Sequence, residues 1–182
     1  MTTESSSVRG NLSEGACLIL GGSLHCLPVL DIYLELKKVV SALEQQGIAY
    51  AICGGLAVSI HAEPRATEDL DVMVLAQDLG RCEVALEPLG FRRYGEAMKF
   101  AQGRVTVQRL LKFEVGSEDQ VVLDLLVVGP PVLDTVWQSR QSFEWEGMKV
   151  WVVSREGLIA LKRLRGSPQD LVDIERLESQ GP

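Results

Sequence analysis

The sequence predicts a mixed α/β (α+β) fold, in which a mixed sheet is flanked by helices and followed by C-terminal helices. Short apolar runs typical of strands alternate with segments of helical periodicity. A polar stretch at 116–119 separates two long apolar runs, which is the pattern of a hairpin. Apolar residues make up 46% of the 182 residues, enough to fill one sizeable core.

The first half of the chain alternates helices and strands. A helix is expected over 31–46, where apolar residues recur at helical spacing until a glycine ends the pattern. The apolar run 48–53 predicts a strand, and a short helix over 56–61 follows the glycine turn after it. A second strand is expected over 70–75. The next helix, 77–86, is closed by a proline and a glycine.

The second half is expected to be richer in strands until its last two helices. A hairpin is expected over 104–115 and 120–128, and a short helix over 132–139. One more strand or hairpin follows over 143–153, and two helices over 155–165 and 168–178. Glu146-Gly147 supplies a turn, and Pro168 suits the first position of the last helix. Residues 1–15 are expected to form a flexible tail, and 16–182 a single domain.

Charge and cysteine content narrow the class of protein. The chain has 25 acidic and 18 basic residues and a formal net charge of -7, which argues against broad binding to a nucleic-acid backbone or an anionic membrane. Four cysteines and two histidines lack the spacing of a zinc site. The apolar stretch 16–30 is too interrupted to span a bilayer. We therefore expect a cytoplasmic protein with reduced thiols and no membrane partner.

Three aspartates are candidates for cation binding. Asp69 and Asp71 open a predicted strand and point to the same face, where they form either a solvated strand end or part of a magnesium site. Asp124 lies among apolar residues of another strand, where a charge is costly unless it is paired. Backbone donors could satisfy Asp124, but a three-carboxylate cation site accounts better for all three acids.

A glycine pair provides the complementary feature. Gly54-Gly55 stands between a predicted strand and a helix, where the backbone can approach a ligand closely and the helix N-terminus offers N–H groups to a phosphate. Alone, the pair is only a turn. With the acids on the next strand, it suits a nucleoside triphosphate that carries magnesium.

Four separated motifs resemble the nucleotidyltransferase (polymerase-beta-like) fold family, with most similarity to its AbiEii-like and minimal nucleotidyltransferase branch. They are Gly54-Gly55, an Arg-x-Thr-x-Asp-x-Asp segment at 65–71, Asp124, and two C-terminal patterns at 158–162 and 169–174. The resemblance extends from about residue 31 to residue 177. One departure concerns Gly55, because minimal nucleotidyltransferases usually have a serine there.

The resemblance implies roles for eight residues and a set of ligands. Asp69, Asp71 and Asp124 would be catalytic and would bind Mg²⁺ or Mn²⁺, and the nucleotide-binding residues would be Gly54, Gly55, Arg65, Thr67 and Lys162. The substrate would be a nucleoside triphosphate such as ATP. The acceptor would be a hydroxyl of a tRNA, a protein or a small molecule, and a toxin or antitoxin partner is implied for members of toxin–antitoxin pairs.

Alternatives remain for several of these residues. Lys162 reaches the nucleotide phosphates or is a surface lysine whose stem packs on apolar neighbours. Asp170 and Asp173 orient Lys162 or a neighbouring arginine, or form an acidic first helical turn. For the whole protein, the expected activity is magnesium-dependent nucleotidyl transfer; the alternative is a catalytically decayed binding module that acts as an antitoxin-like interaction protein.

Overall fold

The computed structural model describes residues 17–20, 23–26, 31–63, 65–113, 119–130, 132–145 and 147–179. The chain divides into two compact units, Met1–Asp31 and Ile32–Pro182. In the first unit, strand β1 (Cys17–Leu20) pairs antiparallel with β2 (Ser23–Cys26), a pairing that the sequence did not predict. The predicted tail 1–15 lies outside the described residues, and a single domain from residue 16 onwards stays a prediction.

The second unit is built on a mixed sheet. Its strands are β3 (Tyr50–Ile52), β4 (Asp69–Val74), β5 (Arg92–Arg93), β6 (Met98–Phe100), β7 (Val105–Phe113), β8 (Gln120–Val128), β9 (Gln141–Trp145) and β10 (Met148–Val152). Their order is β5-β7-β8-β4-β3-β10-β9, with β6 also paired to β7. The pairs β4–β8 and β3–β10 are parallel, and the other pairs are antiparallel. The predicted mixed sheet is confirmed.

Helices flank this sheet and follow it, as the sequence predicts. They are α1 (Ile32–Gln45), α2 (Gly54–His61), α3 (Leu79–Leu86), α4 (Val132–Gln138), α5 (Arg155–Arg165) and α6 (Pro168–Ser179). Short 3₁₀ helices occupy Ala76–Asp78, Glu87–Leu89 and Ala101–Gly103. Among the described residues, no helix combines the length and apolar character that crossing a bilayer requires.

The core explains why the central strands form where they do. The apolar residues of β8 at Val121, Leu123 and Leu125 are fully buried, as are Leu70 and Val72 of β4. A strand buried on both faces is expected to be a nearly continuous apolar run, which is what β8 shows apart from one aspartate. The central position of β4 and β8 buries Asp124 and places Asp69 and Asp71 beside it on the neighbouring strand.

The structure differs from the sequence-based expectation at one edge of the sheet. Strands β5 and β6 were not predicted, because they are short and Arg92–Arg93 has no alternation of apolar and polar residues. Both strands pair with β7, so their backbone partners, rather than their side chains, define them. The segment predicted as one strand or a hairpin at 143–153 is the β9–β10 hairpin, with Gly147 in its turn.

Candidate functional site

Three carboxylates meet on two neighbouring central strands. The parallel register of β4 and β8 puts Asp71 directly opposite Asp124, and Asp69 opposite Val122. Asp69, Asp71 and Asp124 all line one polar pocket. The arrangement follows from strand geometry, since residues two apart on β4 point to the same face. Negatively charged groups from two separate parts of the chain therefore share one pocket.

The glycine turn is packed against this carboxylate cluster. Gly54 has a φ of +60°, a left-handed conformation that favours glycine, and a Cβ there would overlap the Asp71 carboxylate. The backbone N–H of Cys53 also donates to the Asp71 carbonyl oxygen at 2.9 Å. The turn at the start of α2 and the acidic end of β4 are thus held in direct contact.

Gly55 makes room for two side chains of the loop before β4. A Cβ at this position would lie 2.6 Å from Thr67 Oγ1 and 2.7 Å from Arg65 Nη2. The space that a serine side chain would need is therefore filled by a hydroxyl and a guanidinium. Both groups line the polar pocket beside the N-terminus of α2. Although Gly55 replaces the expected serine, Thr67 and Arg65 supply polar groups at the same place.

Arg109 is a site residue that the sequence reasoning missed. It lies opposite Asp124 on β7, and its Nε and Nη2 donate to the two carboxylate oxygens at 2.8 and 2.7 Å. Its Nη2 also lies 4.0 Å from Asp69 Oδ2. The signal was present: a hairpin in which Phe113 pairs with Gln120 places 109 opposite 124. Arg109 thus supplies a counter-charge inside the carboxylate cluster.

The charges of Asp69 and Asp71 are less well balanced, since Arg109 reaches Asp69 only at 4.0 Å. Burial, followed by repulsion from Asp124, raises the pKa of Asp71 to about 6. Burial also raises the pKa of Asp69, although Arg109 opposes that effect. A pKa raised in this way shows that the charged form is disfavoured until a positive ligand or a proton arrives. The pair can therefore accept further positive charge.

Lys162 is held by two acids of the last helix. Its Nζ donates to Asp173 Oδ2 at 2.6 Å and to Asp170 Oδ1 at 3.3 Å. Its side chain is only 4% exposed, so the alternative of a surface lysine is wrong. The structure instead matches the alternative in which the two aspartates orient the lysine. The predicted contact between Lys162 and nucleotide phosphates stays a prediction.

The same two acids hold two arginines. Arg165 donates from Nε and Nη2 to the carboxylate of Asp170 at 2.7 and 2.6 Å. Arg65 donates from Nη2 to Asp173 Oδ2 at 3.1 Å. Burial alone would raise the pKa of Asp170, but hydrogen bonds from Arg165 and Ser167 outweigh it and hold the pKa well below its usual range.

The start of α6 explains why these acids point inward. The Ser167 hydroxyl accepts from the Asp170 backbone N–H at 3.2 Å, and the Asp170 carboxylate accepts from the Ser167 N–H at 3.0 Å. This is a capping box with an aspartate in the place of the usual glutamate. The cap fixes Asp170 at the first turn of α6, from where it reaches back to α5.

The carboxylate oxygens of Asp69, Asp71 and Asp124 suit a hard divalent cation, but their arrangement assigns different roles to the three acids. Carboxylate oxygens are the ligands that Mg²⁺ prefers. Within the described ranges, however, no group of three or more His, Cys, Asp or Glu side chains is arranged around a common point to hold a metal ion. The guanidinium of Arg109 engages both oxygens of Asp124 instead. In this arrangement, Asp69 and Asp71 are the carboxylates left to bind a cation.

Comparisons with known proteins identify the fold. No protein-family model and no curated protein matches the chain. Among solved structures, the antibiotic-resistance factor ANT(2")-Ia, in complex with adenylyl-2"-tobramycin, superposes with a TM-score of 0.56 at 18% identity, over 81% of this chain and 88% of that one. The lincomycin-bound lincosamide antibiotic adenylyltransferase LnuA superposes with a TM-score of 0.55 at 16% identity, over 81% of this chain and 97% of that one. The chain has the nucleotidyltransferase fold.

A further structure agrees at the level of the fold. An antigenic nucleotidyltransferase-like protein from Paracoccidioides brasiliensis gives a TM-score of 0.53 at 23% identity, over 81% of this chain and 74% of that one. The predicted nucleotidyltransferase fold is thus confirmed; among these neighbours, LnuA is named an adenylyltransferase and the Paracoccidioides protein is named nucleotidyltransferase-like. Their identities are low, so the nucleotidyltransferase fold is what they establish for this chain.

Proposed function

We propose that this protein transfers a nucleoside monophosphate from a nucleoside triphosphate to a hydroxyl group in a reaction that depends on Mg²⁺ or Mn²⁺. The observation that carries the proposal is the convergence of Asp69, Asp71 and Asp124 in a pocket that also holds the glycine turn. Arginines face the same pocket. Carboxylates for a cation and donors for phosphates are the two requirements of phosphoryl-group chemistry.

The residues of the polar pocket divide into two groups by chemistry. Gly55, Arg65, Thr67 and Arg165 present backbone, hydroxyl and guanidinium donors, which suit the triphosphate. Asp69 and Asp71 would hold the divalent cation, which neutralises charge that develops on the phosphates. Lys162 is buried and bonded to Asp170 and Asp173, and it would contact the phosphates only after leaving these two aspartates.

Bond changes in the proposed reaction balance without any further reagent. The acceptor oxygen forms a bond with the α-phosphorus, while the bond from that phosphorus to the bridging oxygen of pyrophosphate breaks. Pyrophosphate leaves with the electron pair, and the hydroxyl proton passes to the Asp124 carboxylate. Arg109, which donates to both oxygens of Asp124, would hold that carboxylate in place for the step.

Labelled substrates test the proposal directly. The full chain is incubated with each α-labelled nucleoside triphosphate, MgCl₂ and cell extract, and compared with Asp69→Asn and with the exposed acid variant Asp134→Asn. We expect label on an acceptor with the wild type and Asp134→Asn, and a loss of at least about 100-fold with Asp69→Asn. Equal labelling by Asp69→Asn would rule out the catalytic role.

The nature of the acceptor and the cellular context are finer proposals. ANT(2")-Ia is bound to adenylyl-2"-tobramycin, and the lincosamide antibiotic adenylyltransferase LnuA is bound to lincomycin. We therefore place a small molecule ahead of a tRNA or a protein acceptor. Membership of the AbiEii-like branch, and with it a toxin or antitoxin partner, rests on the four sequence motifs. A protein that copurifies with the full chain and changes its labelling activity would support the partner.

Arg109 also favours a second candidate, the decayed binding module. A guanidinium that satisfies both oxygens of Asp124 can replace a cation permanently. A decayed module would bind nucleotide without any divalent cation and would transfer no label. Calorimetry with ATP, in MgCl₂ and in chelator, separates the candidates: the enzyme requires the cation for tight binding, whereas the module does not.

A further inference from the structure

A second, apolar cavity adjoins the polar pocket at the carboxylates. Its walls include Met98 and Phe100 of β6, Val107 of β7, Leu126 of β8 and Leu158 of α5. The cavity has a volume of ≈ 150 Å³. Apolar cavities of about this size accommodate a single benzene-sized ring. The cavity can therefore take an apolar group of that size.

Strand register explains why the apolar cavity meets the acids. Val107 pairs with Leu126, and two residues further along β7 Arg109 pairs with Asp124. The wall of the cavity therefore changes from apolar to charged between these two neighbouring pairs. On β4, Asp71 continues the charged row beside Asp124. Asp71, Asp124, Arg109 and Arg165 line both the cavity and the polar pocket. A ligand in the cavity would thus face a triphosphate in the polar pocket across these residues.

The charged end of the cavity is electrically balanced. It has three carboxylates and three cationic side chains, which are Asp71, Asp124, Asp170, Arg109, Lys162 and Arg165. Arg109 engages Asp124, while Lys162 and Arg165 engage Asp170. A polycationic ligand needs surplus negative charge along its whole contact surface, and the described lining residues of this cavity provide no such surplus.

We propose that this cavity is the acceptor site and that the acceptor is a small, uncharged molecule with an apolar ring beside its reactive hydroxyl. The inference rests on the proposed function, because the hydroxyl would meet the α-phosphorus where the two pockets join. The apolar walls would bind the ring by burying its surface. The hydroxyl would be the ligand's polar group at the charged end, within reach of Asp124.

The first test uses binding alone, so it does not depend on catalysis. The full chain is titrated with 4-fluorobenzyl alcohol and followed by ¹⁹F NMR. Val107→Phe and Met98→Trp fill the cavity from two different walls. Met98 is half-buried on a short edge strand, so Met98→Trp should fold even if Val107→Phe does not. Phe113→Trp, at an exposed position of β7 outside the cavity, is the matched control.

We expect saturable binding to the wild type and to Phe113→Trp, and at least about tenfold weaker binding to both filling variants. Spermidine, a small polycation, should not displace the probe. Absence of saturable binding to the wild type, unchanged binding to the filling variants, or displacement by spermidine would each overturn the inference.

ATP binding in MgCl₂ separates this inference from the proposed function. We expect ATP to bind Val107→Phe and Met98→Trp as it binds the wild type. Loss of ATP binding in the filling variants would show that the cavity holds the nucleobase, which overturns the acceptor assignment alone. If the wild type bound the probe but no nucleotide, with or without MgCl₂, the proposed function would fail and the acceptor role with it.

Discussion

Replacing Gly54 by alanine tests whether the glycine turn is built around the Asp71 side chain. Gly54 and Gly47 have almost the same φ, +60° and +61°, in the left-handed region. A Cβ at 54 would overlap the Asp71 carboxylate, whereas nothing lies within 4 Å of one at 47. Gly47→Ala is therefore a control that carries the backbone strain without the steric conflict.

The two costs can be separated in magnitude. Left-handed strain costs about 1–2 kcal/mol at either position. The gain from a stiffer unfolded chain is the same for both substitutions and cancels in their comparison. Displacing a packed side chain adds about 1–3 kcal/mol, but only at Gly54. Gly54→Ala should thus lower the free energy of unfolding by about 1–3 kcal/mol more than Gly47→Ala does.

Denaturant unfolding of a double-mutant cycle provides the assay. In an Asp71→Gly background the conflict is absent, so Gly54→Ala should cost about as much as Gly47→Ala. The coupling energy between 54 and 71 should then be about 1–3 kcal/mol, and near zero between 47 and 71. Equal costs for the two alanines in the wild-type background would refute the reasoning, as would a cycle without coupling.

Two further predictions concern the charges of the site. Because the pKa of Asp71 is raised from 3.8 to about 6, the folded protein binds a proton there that the unfolded chain lacks between these pH values. This group therefore destabilises the fold as pH rises through that window, and Asp71→Asn should gain thermal stability relative to the wild type between pH 4.5 and 8 in chelator. Arg109→Met leaves the buried carboxylate of Asp124 without its partner, so we expect the free energy of unfolding to fall by about 1–3 kcal/mol without cations. MgCl₂ should then raise the unfolding temperature of Arg109→Met more than that of the wild type.

Matched controls accompany both measurements. Asp134→Asn alters an exposed acid and should show no change with pH relative to the wild type. Arg104→Met removes an exposed arginine that lies just before the same strand, and its response to MgCl₂ should equal that of the wild type. If the difference in thermal stability between Asp71→Asn and the wild type did not change with pH, the first prediction would be wrong. If MgCl₂ raised the unfolding temperatures of Arg109→Met and the wild type equally, the second would be wrong.

The sequence was sufficient to predict the carboxylate cluster because burial and charge conflict there. An aspartate in the apolar run of β8 needs a compensating partner, and Asp69 and Asp71 open the neighbouring strand. Strand alternation fixed the face of each side chain. The fold class and most element positions followed from the same periodicities, since the central elements are long and strongly patterned.

The partners of these charges could not be predicted with the same ease. Arg109 was visible as a charge in an apolar strand, but its role depends on a register that only the closed hairpin defines. The contacts of Lys162 and Arg165 depend on how α6 packs on α5, which local periodicity does not specify. The two-residue strand β5 exists only through its pairing with β7.

The close packing at Gly55 limits the order in which this site can change during evolution. A serine at 55 would collide with Thr67 Oγ1 and Arg65 Nη2 as they now stand. Such a replacement becomes acceptable only after one of those side chains has shortened or turned away. A serine introduced alone should therefore displace Thr67 or Arg65 from the pocket, so residues 55, 65 and 67 are expected to change together.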